Sequence, residues 1–231
     1  MKSFYQRKTV LGTLLNAAGV ALGASIGLLL RRGIPKELEE KIFDAVGLFT
    51  VALGIVMSCS IERPVATVLG LLAGSILGSF LKIEENLSKI GSIIKKEDTG
   101  AFTQGLLTAF MTYCVGPMTI IGSIEDGLGD PSIILAKAVM DTTVSIAYAA
   151  AMGYGVLFSS ILLLAFQGSL ALAASFLKPY LSTATLHDIT GVGGILLIGL
   201  ALNLLKVRKI KVGDMLPSLI TVPLLSAIIK T

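Results

Sequence analysis

One stretch of this sequence places ionisable groups inside an apolar run. Between residues 131 and 152 the chain is mostly apolar, yet it holds Lys137, Asp141, Ser145 and Tyr148. These fall at i, i+4, i+8 and i+11, which is one face of one helix. At 1.5 Å per residue, Lys137 lies about 9 Å and Asp141 about 15 Å from the start of the run, near the middle of a membrane-spanning helix. A charge at that depth costs about 2.5–3.5 kcal/mol even on the lenient insertion scale. Two such charges must face protein or water, and their spacing lets them pair. Two roles fit: a structural salt bridge, or part of a pathway for a solute or ion.

A second feature lies in the preceding apolar run, where Gly116 and Pro117 stand side by side. Proline removes one backbone donor and obstructs the carbonyl four residues earlier, that of Tyr113. Lipid cannot satisfy a freed carbonyl, so the break must face protein or a wet cavity. It is either a packing kink or the broken helix of a binding site. Asn16, Gln104, Gln167 and Asn203 are single polar side chains inside other apolar runs, suited to hydrogen bonds between helices or to ligand contact.

Other chemistry is missing. There is no Walker loop, no His-Glu-x-x-His, no Cys-x-x-Cys and no Gly-x-Ser-x-Gly, so no catalytic residue and no enzyme is expected. Cys59 and Cys114 make neither a disulfide framework nor a metal site, and His187 is the sole histidine. No metal and no cofactor is expected.

The elements that position these residues follow from composition. The 231 residues are 54% hydrophobic and 15% charged, against about 25% charged in a soluble domain. Mean hydropathy is +0.85. The charges gather in short blocks between long apolar runs, the pattern of an all-α polytopic membrane protein with a single membrane domain. Spans are expected near 10–30, 43–60, 64–82, 101–123, 131–152, 154–177, 188–206 and 213–229, about eight in all. The run 131–177 is too long for one span, so Gly153-Tyr154-Gly155 must turn. The net charge of +4 sits beside apolar spans and needs no nucleic-acid partner.

Basic residues set the orientation. One side collects Arg31, Arg32, Lys36, Lys41, Lys82, Lys89, Lys95, Lys96, Lys206, Arg208, Lys209 and Lys211; the other has Lys2, Arg7, Lys8, Arg63, Lys178 and Lys230. Twelve against six places the first side in the cytoplasm and both termini outside. Ile83, Leu87, Ile90, Ile93 and Ile94 recur at helical spacing among Lys and Glu, an amphipathic helix over 83–96 at the cytoplasmic interface or packed on its own protein. Gly19, Gly23 and Gly27, and Gly70, Gly74 and Gly78, make small-residue faces for close helix contacts, within the chain or in a homo-oligomer.

Gly12-Thr13-Leu14-Leu15-Asn16, Cys114-Val115-Gly116-Pro117-Met118, Gly122-Ser123-Ile124-Glu125-Asp126-Gly127 and Gly199-Leu200-Ala201-Leu202-Asn203-Leu204-Leu205 resemble an uncharacterised prokaryotic membrane-protein family, domain of unknown function 554. The resemblance covers almost the whole chain and implies a prokaryotic plasma membrane. It brings no activity, substrate or catalytic residue.

An internal repeat is also expected. Asp44-Ala45-Val46-Gly47 and Asp188-Ile189-Thr190-Gly191 open comparable spans, each running on to a second glycine, Gly54 or Gly199. Spans 1–3 then correspond to spans 6–8, an odd offset that inverts one copy around a central helix pair, as in many secondary transporters. The expected function is passage of a small solute or ion through a site between the fourth and fifth spans. The alternative is a non-transporting membrane scaffold or sensor.

Overall fold

The computed structural model of the chain describes residues 10–31, 36–86, 89, 99–177 and 182–229. Among these residues every regular element is helical. The helices are α1 (Leu11–Arg31), α2 (Lys36–Ser58), α3 (Pro64–Leu81), α4 (Thr99–Cys114), α5 (Pro117–Gly127), α6 (Ser132–Met152), α7 (Tyr154–Leu172), α8 (Ala174–Leu177), α9 (Thr183–Leu204) and α10 (Ser218–Ile228), with a 3₁₀ turn at Val212–Met215 before the last.

The expected run 101–123 is two helices, bent by 68° at the Gly116–Pro117 break. Gly153 has φ +78°, a left-handed conformation that favours glycine, and it turns α6 into α7 where the sequence demanded a turn. Five helices are long and apolar enough to cross a membrane, or six if the bent pair is one span. The other two expected spans are shorter as apolar helices, 44–58 and 212–226. In α2 the first turns read Lys36-Glu37-Leu38-Glu39-Glu40-Lys41, too charged for a membrane core. The last span opens as a 3₁₀ turn and carries Pro223 inside α10.

Contacts set the direction of each helix. Gly19, Gly23 and Gly27 of α1 meet α6 in ascending order, at Ala138–Thr142, Thr142–Ser145 and Ile146–Ala150, so these two helices are parallel. Gly47 and Gly54 of α2 lie against Leu205 and Ile198 of α9, and Gly70, Gly74 and Gly78 of α3 against Val222, Ser218 and Asp214; both pairs are antiparallel. The ring pairs Phe102–Phe158 and Phe110–Phe166 align α4 parallel to α7. A Cβ on Gly23 or Gly74 would meet backbone atoms of the neighbouring helix, Thr142 in one case and Ser218 in the other. The glycine faces are therefore used inside the chain, and a second copy would have to dock on another surface.

Carboxylates hold the ends of helices. Asp126, at the end of α5, accepts from the backbone N–H of Gly12 (3.1 Å) and Thr13 (2.8 Å) and from the Thr13 hydroxyl (2.9 Å). The first N–H groups of a helix have no partner within it, and a carboxylate also suits its positive end. Asp188 does the same just ahead of α3, taking the N–H of Glu62 and Arg63 (both 3.0 Å), the Arg63 Nε (2.7 Å) and the Ser226 hydroxyl (2.8 Å). At the opposite end of α3, Glu84 accepts from the Gly213 N–H at 2.6 Å while Asp214 accepts from the Glu84 N–H at 2.9 Å. Burial, with the Asp214 carboxylate nearby, raises the Glu84 carboxyl above its ordinary value, although the Gly213 bond pulls the other way.

Many side chains on the outside of the bundle are large and apolar. Phe80 is 81% exposed, Val56 71% and Val139 70%. Water would penalise such a surface and a lipid phase would not. Of the amphipathic stretch 83–96, residues 83–86 and Lys89 are described as helical, with an exposed Lys89–Glu85 ion pair at 2.8 Å; the remainder lies outside the described residues.

Candidate functional site

The site is built on α6. Lys137 Nζ donates to both Asp141 carboxylate oxygens at 2.6 Å, across one helical turn. Lys137 is 7% exposed and Asp141 5%. The parallel packing of α1 on α6 brings Asn16 alongside, and its Nδ2 donates to Asp141 Oδ2 at 3.0 Å. The same Nδ2 donates to Gln167 Oε1 of α7 at 3.3 Å. A carboxylate can only accept, so Asn16 must present its NH₂ there and Gln167 must answer with its carbonyl oxygen.

That order leaves two ends over. Asn16 Oδ1 and Gln167 Nε2 are buried with no hydrogen-bond partner among the described residues. Both side chains are 0% exposed. A buried polar atom without a partner costs about 1–3 kcal/mol, so two in one chain of bonds call for an explanation.

The broken span supplies the opposite wall. Tyr113, near the end of α4, has its ring centroid 6.0 Å from Lys137 Nζ, within reach of a cation–π attraction. Its ring stacks on that of Tyr148 at 6.3 Å. The Tyr148 hydroxyl lies 3.4 Å from the Thr112 hydroxyl. The Tyr113 carbonyl, which Pro117 denies a helical partner, accepts from the Thr119 hydroxyl at 2.5 Å. Thr119 thus satisfies the break from the next turn of chain. A Cβ on Gly116 would meet nothing within 4 Å, so the break has open space beside it.

The structure therefore gathers Lys137, Asp141, Asn16 and Gln167 into one network, with Tyr148 joined to it through Tyr113. Ser145 turns its hydroxyl back to the Thr142 carbonyl at 2.8 Å, at the contact with Gly23. Gln104 is elsewhere, donating to the Leu200 carbonyl at 3.4 Å between α4 and α9. Asn203 closes the turn after α9, bonding the N–H (2.7 Å) and the carbonyl (2.8 Å) of Ile210. His187 lies at the end of the bundle beside Glu62, Nδ1 to Oε1 2.5 Å. No group of His, Cys, Asp and Glu that could hold a metal occurs among the described residues.

Sequence reasoning passed over the Tyr113 ring and the Thr119 hydroxyl. Both flank the Gly116–Pro117 break, and a hydroxyl two residues past a proline was the available signal for the second. It also passed over Asp126 as a helix cap, although that residue lies in the Gly122-Ser123-Ile124-Glu125-Asp126-Gly127 motif.

Comparison with known proteins places the whole chain. A protein called "Uncharacterized membrane protein YdfK" from Bacillus subtilis (strain 168) is 30% identical over 223 residues, covering 94% of this chain and 96% of that one. "Uncharacterized protein YqgA" from Escherichia coli (strain K12) is 30% identical over 227 residues, covering 94% and 97%. No solved structure matches the chain. Residues 11–227 match the family model described as "Protein of unknown function (DUF554)", and the chain, a membrane protein built of apolar helices, belongs to that family.

Proposed function

We propose that this protein passes a small solute or ion across a prokaryotic plasma membrane, as an eight-span bundle with both termini outside. The observation that carries the reading is the buried Lys137–Asp141 pair. It is tied to Asn16 and Gln167, which keep one acceptor and one donor unused, and it sits beside a broken helix. Ionisable groups at mid-span beside a discontinuous helix are the usual makings of a transport site. Bacterial relatives support the compartment.

An inverted repeat is part of the proposal. Its three expected helix pairs are α1 with α7, α2 with α9 and α3 with α10. Each pair packs antiparallel, as a two-fold axis in the membrane plane requires: Asn16 faces Gln167 near one end of α1–α7 while Arg31 faces Gly153 at the other. The parallel pairs α1–α6 and α4–α7 are images of each other under the same axis. The reading gives the chain no catalytic chemistry.

The scaffold or sensor reading has one observation in its favour. The Lys137–Asp141 pair is closed and nine-tenths buried, the geometry of a structural clamp. Access to the break separates the two. With Cys59 and Cys114 replaced, Gly116→Cys in sealed vesicles is treated with a small aqueous thiol reagent from either side. Transport expects modification from at least one side. Protection from both sides, with full reaction after detergent, would favour the clamp.

A further inference from the structure

The buried amide ends beside the pair each have a definite hydrogen-bonding character. Lys137 and Asp141 are neutral as a unit. Gln167 Nε2 is a donor without an acceptor, and Asn16 Oδ1 an acceptor without a donor. With the pair, these amide ends give two cationic or donor groups and two anionic or acceptor groups, linked through the Asn16 amide, and the buried hydroxyl of the nearby Tyr113 can either donate or accept. We propose that the site takes a small zwitterion carrying one ammonium and one carboxylate, such as a short α-amino acid. The inference rests on the transport reading of the same site.

Charge balance selects this class. A lone cation or anion entering a neutral buried pair leaves one charge in excess, and an uncompensated buried charge is strongly unfavourable. A zwitterion keeps the total at zero. Its carboxylate takes over from Asp141 as the partner of Lys137, with Gln167 Nε2 as the second donor. Its ammonium takes over from Lys137 as the partner of Asp141, with Asn16 Oδ1 as the second acceptor. The Lys137 ammonium, already 6.0 Å from the Tyr113 ring centroid, retains that aromatic face as it leaves Asp141. The ion pair closes the empty site, and the ligand opens it by supplying both counter-charges together.

The test is thermal unfolding of the purified full-length protein at constant ionic strength. The probes are glycine, L-alanine and L-serine, against methylammonium chloride, sodium acetate and sodium chloride. Glycine betaine, a zwitterion with no N–H, is the last. At least one of the three amino acids should raise the midpoint by on the order of 5–10 °C when present about a hundredfold above its Kd. The separate ions and glycine betaine should not. Gln167→Met should weaken the amino-acid response at least about tenfold, the step expected for a lost hydrogen bond to a charged group. If that variant does not fold, the unsubstituted protein carries the test alone, through its response to the amino acids against the separate ions and glycine betaine. A response to methylammonium or sodium alone overturns the zwitterion and leaves a cation, and a response to acetate alone overturns it and leaves an anion; an equal response to glycine betaine overturns an ammonium that donates N–H bonds to Asp141 and Asn16. Silence from every probe also overturns it, while the transport reading is then decided separately by access to Gly116→Cys.

Discussion

Removing one member of the Lys137–Asp141 pair is the most informative single perturbation. The two side chains are 8% and 7% exposed, so water cannot take over for a missing partner. Breaking a buried pair in this way costs about 3–5 kcal/mol. At about 2–4 °C per kcal/mol for a chain of this size, that lowers the unfolding midpoint by about 6–20 °C. In Lys137→Met, Asp141 keeps only the Asn16 amide as a donor at 3.0 Å. In Asp141→Asn, the ammonium keeps one amide oxygen and the Tyr113 face. The double variant removes both charges and should recover most of the loss, so the three variants form a double-mutant cycle with a coupling of several kcal/mol. Stability alone does not separate clamp from pathway, since both expect this pattern. Ligand-induced stabilisation does. A transport site should stay unresponsive in the double variant although the fold has recovered. Single variants that cost less than about 1 kcal/mol would mean that the pair is solvated, as exposed ion pairs are, and the reasoning from burial fails. A double variant that recovers the ligand response as well would remove the pair from the site.

Other consequences are direct. Thr119→Val strands the Tyr113 carbonyl at the break and should cost about 1–3 kcal/mol in denaturant unfolding; a neutral result would mean that water fills the gap. Gly74→Leu drives a side chain into the Ser218 backbone and should lower stability by at least about 1–3 kcal/mol, whereas Leu72→Ala on the exposed face of the same helix should change it little. Glu84 has a folded pKa above its ordinary 4.5, so the folded state holds this proton more tightly than the unfolded chain. Its contribution is full below pH 4.5 and declines as the pH rises through the folded value, and Glu84→Gln should flatten that part of the midpoint-against-pH curve. With Cys59 and Cys114 replaced, Asp130→Cys in intact cells should react with an impermeant thiol reagent while Lys209→Cys is protected; the reverse pattern would invert the orientation.

The class of protein and the faces of its helices were legible in the order of residues alone. Apolar runs of about 20 residues separated by charged blocks can only be helices in a lipid phase, because every backbone donor and acceptor there must be satisfied locally. The same argument placed the break at Gly116–Pro117 and the turn at Gly153. It also put Lys137 and Asp141 on one face, since helical spacing is a local property. Lengths were less legible. A hydropathic run does not distinguish a straight helix from two bent ones, so 101–123 became α4 and α5, and the last span lost its first turn to a 3₁₀ segment. Which polar residues meet depends on the packing of helices distant in sequence. Asn16, Gln104, Gln167 and Asn203 looked alike as isolated polar side chains, yet Asn16 bonds Asp141 and Gln167 bonds Asn16, while the other two hold helix contacts or turns elsewhere. Their difference lies in the approach of α1 to α6, which the glycines at 19, 23 and 27 permit but do not specify. Small residues say that a partner backbone can come close; which backbone comes is set by the packing of the whole bundle, and no stretch of sequence contains that information locally.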